Sequence, residues 1–411
     1  MFLGSNSGRM PGLDWLRVLL SVYLVVFHTL PSYPGLHDWA YQLASAGYVS
    51  TSLFFVLSGF VLAHVYLNAE GRLKVPPARF LRTRFAMLYP IHVVGFMLAG
   101  LGLIAQFAGS GTLTAIADIP PALRSTTTQN ELVTLSGAEA AFNVVAQLLL
   151  VQAWNPLYQA FNVPAWSISA LAFFYLCFVS FAEPVSRTNR PVLWMGVLVG
   201  LYLLPPVYFI LQGDFRPVVT GFLHTNPLVR LPEFLAGVLL CKHLRGLKPL
   251  TARSKNPLMV ALLAFLAIVL VIVGLTPLGP SGFYLLHNGA LLPAQLVLVA
   301  AMASMHYELS PTADRWLRVV ANSTLTIFIL HLPLFSMLTR VEKWIAAGLP
   351  GLGPETLTWA EFWMSVKAPR LMIEAYPLSI GIVLAISVAV HYGFVLRFRD
   401  FLTRHKARAQ K

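Results

Sequence analysis

The sequence predicts an all-α polytopic bundle that spans a membrane. Of its 411 residues 57% are hydrophobic and only 11% are charged, and the mean hydropathy is +0.70, whereas soluble domains carry about 25% charged residues. Apolar runs of span length recur from end to end, and no polar block between them is large enough for a core of its own. A separate soluble domain is thereby excluded. The chain reads as one membrane domain, 13–396, between an N-terminal tail, 1–12, and a basic C-terminal tail, 397–411.

Crossing about 30 Å of hydrocarbon takes roughly 20 helical residues. The first run, 13–30, resembles a secretory leader in position, but it holds Asp14 and Arg17 and no A-x-A cleavage site follows it, so it is expected to remain as the first span. Further spans are expected at 47–67, 85–108, 166–181, 192–212, 231–244, 258–275, 283–305, 317–338 and 377–396, two of these being short. The piece 140–154 contains Asn143, Gln147 and Gln152, and counting it as a span would break the alternation of charge. It is therefore read as a helix lying at or dipping into the outer interface. With the N-terminus inside, 21 of the 29 Lys and Arg fall in inner segments or at the inner ends of spans and 7 in outer ones, leaving Arg17 within the first span. That bias obeys the positive-inside rule and puts both termini in the cytoplasm.

The formal charge of +13 lies in alternate loops rather than on one face, which argues against a nucleic-acid partner. The only two cysteines, Cys177 and Cys241, sit in apolar runs and are read as small hydrophobes rather than as a disulfide. No metal site is expected, because no cluster of His, Cys and carboxylates occurs at ligand spacing. Nothing matches a phosphate-binding glycine loop, a nucleophile elbow or paired glycosidase carboxylates.

The chemistry concentrates in "LDWLRVLLSVYLVVFH". Arg17 and His28 are eleven residues apart, about 1100° of helical rotation and about 16 Å of rise, so they share one helix face. Snorkelling for Arg17 and a satisfied interior role for His28 are the plain alternatives. Two ionisable groups in register suit a site better. Arg17 would meet the phosphates of a long anionic donor at the cytoplasmic end. His28 would act as general base on a hydroxyl arriving from the outer side.

The R-x10-H spacing is followed in order by "STSLFFVLSGFVLAHVY", "RFLRTRFAMLYPIHVV", "FNVPAWSIS", "RLPEFLAGVLL" and "STLTIFILHLP". Together these resemble the acyltransferase 3 family of bacterial integral-membrane acyltransferases, over 13–396. The resemblance implies transfer of an acyl group, commonly acetyl from acetyl-CoA, to a hydroxyl of a surface glycan or lipid-linked sugar, with some relatives acylating small molecules.

Residue by residue, the resemblance assigns Ser58 to a wall of the acyl channel, against a plain role for Ser58 and Gly59 in close helix packing. It assigns Arg79, Arg82 and Arg84 to the CoA phosphates, which Arg suits through its fork of donors; a simple topology signal is the alternative. Asn162, Trp166, Ser167 and Ser169 would meet the acceptor, although a Trp belt is expected at that depth in any case. Arg230 and Glu233, three apart on one helix face, are either a structural ion pair or holders of the acceptor or the base. His331 lies at a depth comparable to His28 and is read as its partner in catalysis, a core pair of no consequence being the plain alternative.

The sequence departs from the family pattern at three positions: Ser52 stands where relatives often carry Asp, Met87 where an Arg is expected, and Leu171 where a Glu is expected. Glu233 is the substitute acid the sequence offers. The reading is thus a bacterial inner-membrane O-acyltransferase using acetyl-CoA or another acyl-CoA, with lipid and a glycan as its partners. A non-catalytic carrier or flippase on the same fold, and an O-acyltransferase of a small secondary metabolite, are the alternatives.

Overall fold

The computed structural model describes residues 9–33, 46–120, 123, 131–246, 256–305, 308–348 and 373–404. The tail residues 1–8 and 405–411 lie outside them, as do Arg124, Lys248, Arg253, Lys255, Lys367 and Arg370 from the charge count.

The chain folds as an all-α polytopic bundle. Its helices are α1 (Pro11–Thr29), α2 (Tyr48–Tyr66), α3 (Pro77–Ser110), α4 (Gly137–Leu148), α5 (Trp166–Ser186), α6 (Pro191–Leu211), α7 (Pro217–Thr225) and α8 (Pro227–Gly246). There follow α9 (Pro257–Leu275), α10 (Pro280–His287), α11 (Leu292–Ala303), α12 (Pro311–Gly348), α13 (Tyr376–Val390) and, after a π turn at His391–Val395, α14 (Leu396–Arg404). Among the described residues, nine helical segments are long and apolar enough to cross a membrane. Ten runs were expected. The tenth corresponds to α8, twenty residues long, whose Arg230, Glu233, Lys242 and Arg245 set it apart from the nine.

Three features depart from the expected elements. The run 283–305 is not one helix but two, α10 and α11, broken around Gly289, whose φ of 107° a side chain would resist. The carbonyl freed by the break, that of His287, accepts from Arg230 Nη1 at 2.6 Å and from the Tyr202 hydroxyl at 2.9 Å. A broken helix is tolerated at membrane depth when neighbours satisfy the freed groups in this way. Second, residues Leu113–Ala117 and Glu131–Leu135 form an antiparallel pair of strands, β1 and β2, which extends to the following segment where Ile116 bridges Gln159. Third, the basic stretch at Arg79 is not a loop before a span but the first turns of the 34-residue α3. Helix α4 is twelve residues, about 18 Å, and too short to cross. It starts on a capping box in which the backbone N–H and hydroxyl of Ser136 hold the Glu139 carboxyl below its usual range.

The core is set by α2 and α8, which approach backbone to backbone. A Cβ on Gly59 would lie 1.9 Å from the Phe234 carbonyl oxygen, and one on Gly237 would lie 2.1 Å from that of Val56. Only glycine permits that contact, the small-residue packing of membrane helices. Gly59→Ala is expected to lower stability by about 1–3 kcal/mol, read as a drop in unfolding temperature in detergent. Gly100→Ala, where no atom lies within 4 Å, serves as the control and is expected to hold or gain stability.

Candidate functional site

Helix α1 packs along α12, and this contact brings His28 to His331. Their facing nitrogens, His28 Nδ1 and His331 Nε2, are 3.0 Å apart. His331 Nδ1 sits 2.7 Å from the Phe328 carbonyl oxygen and 3.3 Å from that of Ile327. A carbonyl only accepts, so His331 Nδ1 carries the proton and His331 Nε2 presents its lone pair. His28 Nδ1 must then donate, to His331 Nε2 and in part to the Leu24 carbonyl at 3.1 Å. The remaining lone pair is that of His28 Nε2. Two carbonyls of α12 thus determine which nitrogen of α1 is basic.

The opposite end of α1 gathers cations. Asp14 is paired to Arg9 at 2.8 Å, and Arg9 also bonds Asp314. Arg17 is consequently left with no carboxylate at ion-pair distance among the described residues, and it lies within electrostatic range of Asp14, Arg84 and Tyr175. The Arg84 guanidinium stands 4.6 Å over the Tyr66 ring, and its buried Nε has no acceptor among the described residues; the same holds for the Tyr66 hydroxyl. Donors are in surplus here. Arg79 and Arg82 do not join this group, since both are exposed; Arg84, about 200° round the helix from Arg82, turns inward. Met87 is met from α14 by Arg399, whose Nη1 lies 3.8 Å from the thioether sulfur. Ser58 is half-buried on α2, beside the Gly59 contact.

Arg230 and Glu233 form an ion pair at 3.2 Å with side chains only 2% and 1% exposed. Arg230 Nη2 also donates to the Ser52 hydroxyl at 2.9 Å, and the guanidinium lies near the rings of Phe55, Trp166 and Tyr202. The pair ties α8 to α2 and to the break between α10 and α11. Glu233 is thus engaged with Arg230 and, among the described contacts, touches neither imidazole. The partner of His28 is His331, and the place of the expected acid, Leu171, is buried in the apolar core.

The segment 149–165 packs against α5 and α12. Asn162 Nδ2 donates to the Ile329 carbonyl at 2.8 Å, two residues before His331, and so braces α12. Ser167 and Ser169 donate to the carbonyls of Pro164 and Leu150 at 2.7 and 2.6 Å, closing the segment onto α5 rather than facing His28. Trp166 meets the ring of His224 edge-on at 4.8 Å. His224 Nδ1 donates to Asp118 Oδ2 at 2.9 Å, and the ring lies within electrostatic range of His28. Asp118 and His224 are functional candidates that the sequence reading did not single out. They are 106 residues apart, and neither sits in a recognisable motif.

Coupled imidazoles thus lie at one end of α1, and Arg17 and Arg84 lie together at the other. The chain belongs to the acyltransferase domain family, whose model matches residues 10–392. It is similar to Acyltransferase MdmB of Streptomyces mycarofaciens, 30% identical over 216 residues that make up 50% of this chain and 48% of that protein. It is also similar to Protein 2 in picA locus of Rhizobium radiobacter, 33% identical over 130 residues, 30% of this chain and 60% of that protein. The matched chain thus spans about half of the first relative's length and three fifths of the second's. No solved structure matches it.

Proposed function

We propose that the protein is an acyl-CoA-dependent O-acyltransferase of the bacterial inner membrane, moving an acyl group, acetyl in the simplest case, to a hydroxyl of an envelope or exported glycan. The observation that carries the reading is the ordered imidazole pair, because it leaves a single lone pair, His28 Nε2, for proton abstraction. His28 takes the hydroxyl proton as the oxygen attacks the thioester carbonyl carbon. The C–O bond forms, the C–S bond breaks, and the leaving thiolate recovers the proton from the imidazolium. His331 Nε2 accepts from His28 Nδ1 throughout and stabilises the transient charge, the part a carboxylate plays in hydrolase triads.

Donor binding is assigned to the other end of α1. Arg84 Nε and the Tyr66 hydroxyl are donors without acceptors among the described residues, and Arg17 has no carboxylate at ion-pair distance among them, which suits the phosphates of CoA. The rise of about 16 Å from Arg17 to His28 leaves the thioester arm to run along the α1 face.

The test is release of free CoA from acetyl-CoA by the protein in nanodiscs, supplied with lipid-linked sugars from its host. Arg17→Ala and Arg84→Ala are each expected to raise the KM for acetyl-CoA about tenfold or more, the range of a lost charge-assisted hydrogen bond, while Arg79→Ala stays within about threefold. Native protein that neither releases CoA nor binds acetyl-CoA would favour a carrier on the same fold.

A further inference from the structure

Near the imidazole pair stands a second ionisable dyad that the proton transfers of His28 and His331 do not use. His224 lies in the last turn of α7, and Asp118 follows the end of β1 by one residue. His224 Nδ1 donates to Asp118 Oδ2 at 2.9 Å, and the same oxygen accepts from Gln159 Nε2 at 2.6 Å. Gln159 is brought there by its bridge to Ile116 of β1. The strand pair and the segment 149–165 thus fix one carboxylate, and the carboxylate fixes one ring.

A run of contacts leads from this ring to the reaction centre. A Cβ on Gly47 would lie 2.1 Å from that of Phe27, so the start of α2 abuts α1 one residue before His28. Tyr48, the next residue, stacks on the His287 ring at 4.1 Å, and His287 meets His224 edge-on at 5.9 Å. Trp166 packs edge-on against His224 at 4.8 Å. The His224 ring is in electrostatic range of His28.

The surroundings suit a cation at His224. The Asp118 side chain is 11% exposed, and a buried carboxylate calls for a positive partner; among the described residues His224 is the one in ion-pair range. The C-terminal end of a helix, where α7 places the ring, also favours positive charge. With Nδ1 donating to Asp118, an imidazolium presents its Nε2–H on the far side of the ring.

Acyl transfer needs a donor of this kind. Attack on the thioester turns its carbonyl oxygen into an oxyanion, and preorganised donors aimed at that oxygen are usually the largest single contribution to such catalysis. Several polar side chains near His28 direct their donors elsewhere: Asn162 to the Ile329 carbonyl, Ser167 to that of Pro164 and Thr29 to that of Val25.

We propose that His224, as the imidazolium held by Asp118, is a further catalytic residue whose Nε2–H donates to the oxyanion, with Asp118 as its positioning residue. As the C–S bond breaks, the electron pair on the oxygen returns to re-form the carbonyl of the ester. His224 keeps its proton throughout, while the hydroxyl proton passes from His28 to the leaving thiolate. This role rests on the acyl-transfer reading.

The test uses two CoA ketones that transfer no group. S-acetonyl-CoA mimics the bound thioester, whereas S-trifluoroacetonyl-CoA hydrates and ionises readily and so mimics the oxyanion. Both are titrated into full-length protein in nanodiscs without an acceptor. Native protein is expected to bind the trifluoroketone about 10²-fold or more tightly than the ketone, the preference of a site complementary to the transition state. In His224→Ala and Asp118→Asn that preference is expected to fall about tenfold or more, the effect of one lost oxyanion donor. Acetonyl-CoA affinity is expected to stay within about twofold, since the ground state makes little use of that donor. A merely structural dyad would weaken both ketones together. No preference in the native protein, an equal preference in native and variant protein, or joint loss of both ketones in the variants would overturn the role of His224. Failure of the native protein to bind either ketone would overturn the acyl-CoA reading, and this role with it.

Discussion

His28→Ala lowers kcat/KM for acyl transfer by about 10²–10⁴-fold, the contribution of a positioned general base, while the affinity for acyl-CoA stays within about twofold. The reason is geometric. His28 Nε2 is the lone pair left over once the carbonyls of α12 have oriented His331 and His331 has oriented His28. His331→Ala removes the acceptor of the Nδ1 proton and is expected to cost less, about tenfold to a hundredfold, with part of the loss recovered in His331→Gln, whose side-chain oxygen can still accept. A structural role alone predicts no such rescue. Initial rates of CoA release with a saturating sugar acceptor decide the matter, and full activity in His28→Ala would remove His28 from the mechanism.

Glu233→Ala has the largest expected effect on stability. It strands the Arg230 guanidinium, 2% exposed, in the protein interior without its counter-charge, and breaking a buried pair in this way costs about 3–5 kcal/mol. The paired replacement Arg230→Met with Glu233→Leu is expected to recover most of that loss, because it removes both charges together. The His287 carbonyl at the break of α10 and α11 keeps the Tyr202 hydroxyl as a donor in either variant. Thermal unfolding in detergent reads both. Equal destabilisation in the single and double variants would show that the contacts of the guanidinium, not its charge, hold α8 in place.

Near Arg17 the surplus among the described residues is of donors, Arg84 Nε and the Tyr66 hydroxyl beside the Arg17 guanidinium, and a phosphate group is the acceptor that would complement them.

Hydropathy and charge by themselves determined that the chain is a multi-span helical bundle, because span length and apolar composition are local quantities read along one segment. The register of Arg17 and His28 was equally legible, since helical rotation fixes it within α1. The short strands β1 and β2 were not, being five residues each and separated by 13 residues without a tight-turn signal. The break at Gly289 was hidden inside an apolar run. Only the tertiary structure decided the partners: His331 lies 303 residues from His28, and Ser52 lies 178 from Arg230. The same is true of the inward turn of Arg84 and the outward turn of Arg79 and Arg82, which depend on which face of α3 meets α5 and α12. The amides of Gln147 and Gln152 are the extreme case. Both residues stand out as polar in an apolar stretch, but that their NH2 groups are fixed follows only from where Ala160 and Ala165 place their carbonyls. A side chain's type is written in the chain, whereas whether its hydrogen bonds are satisfied depends on atoms brought to it by other segments.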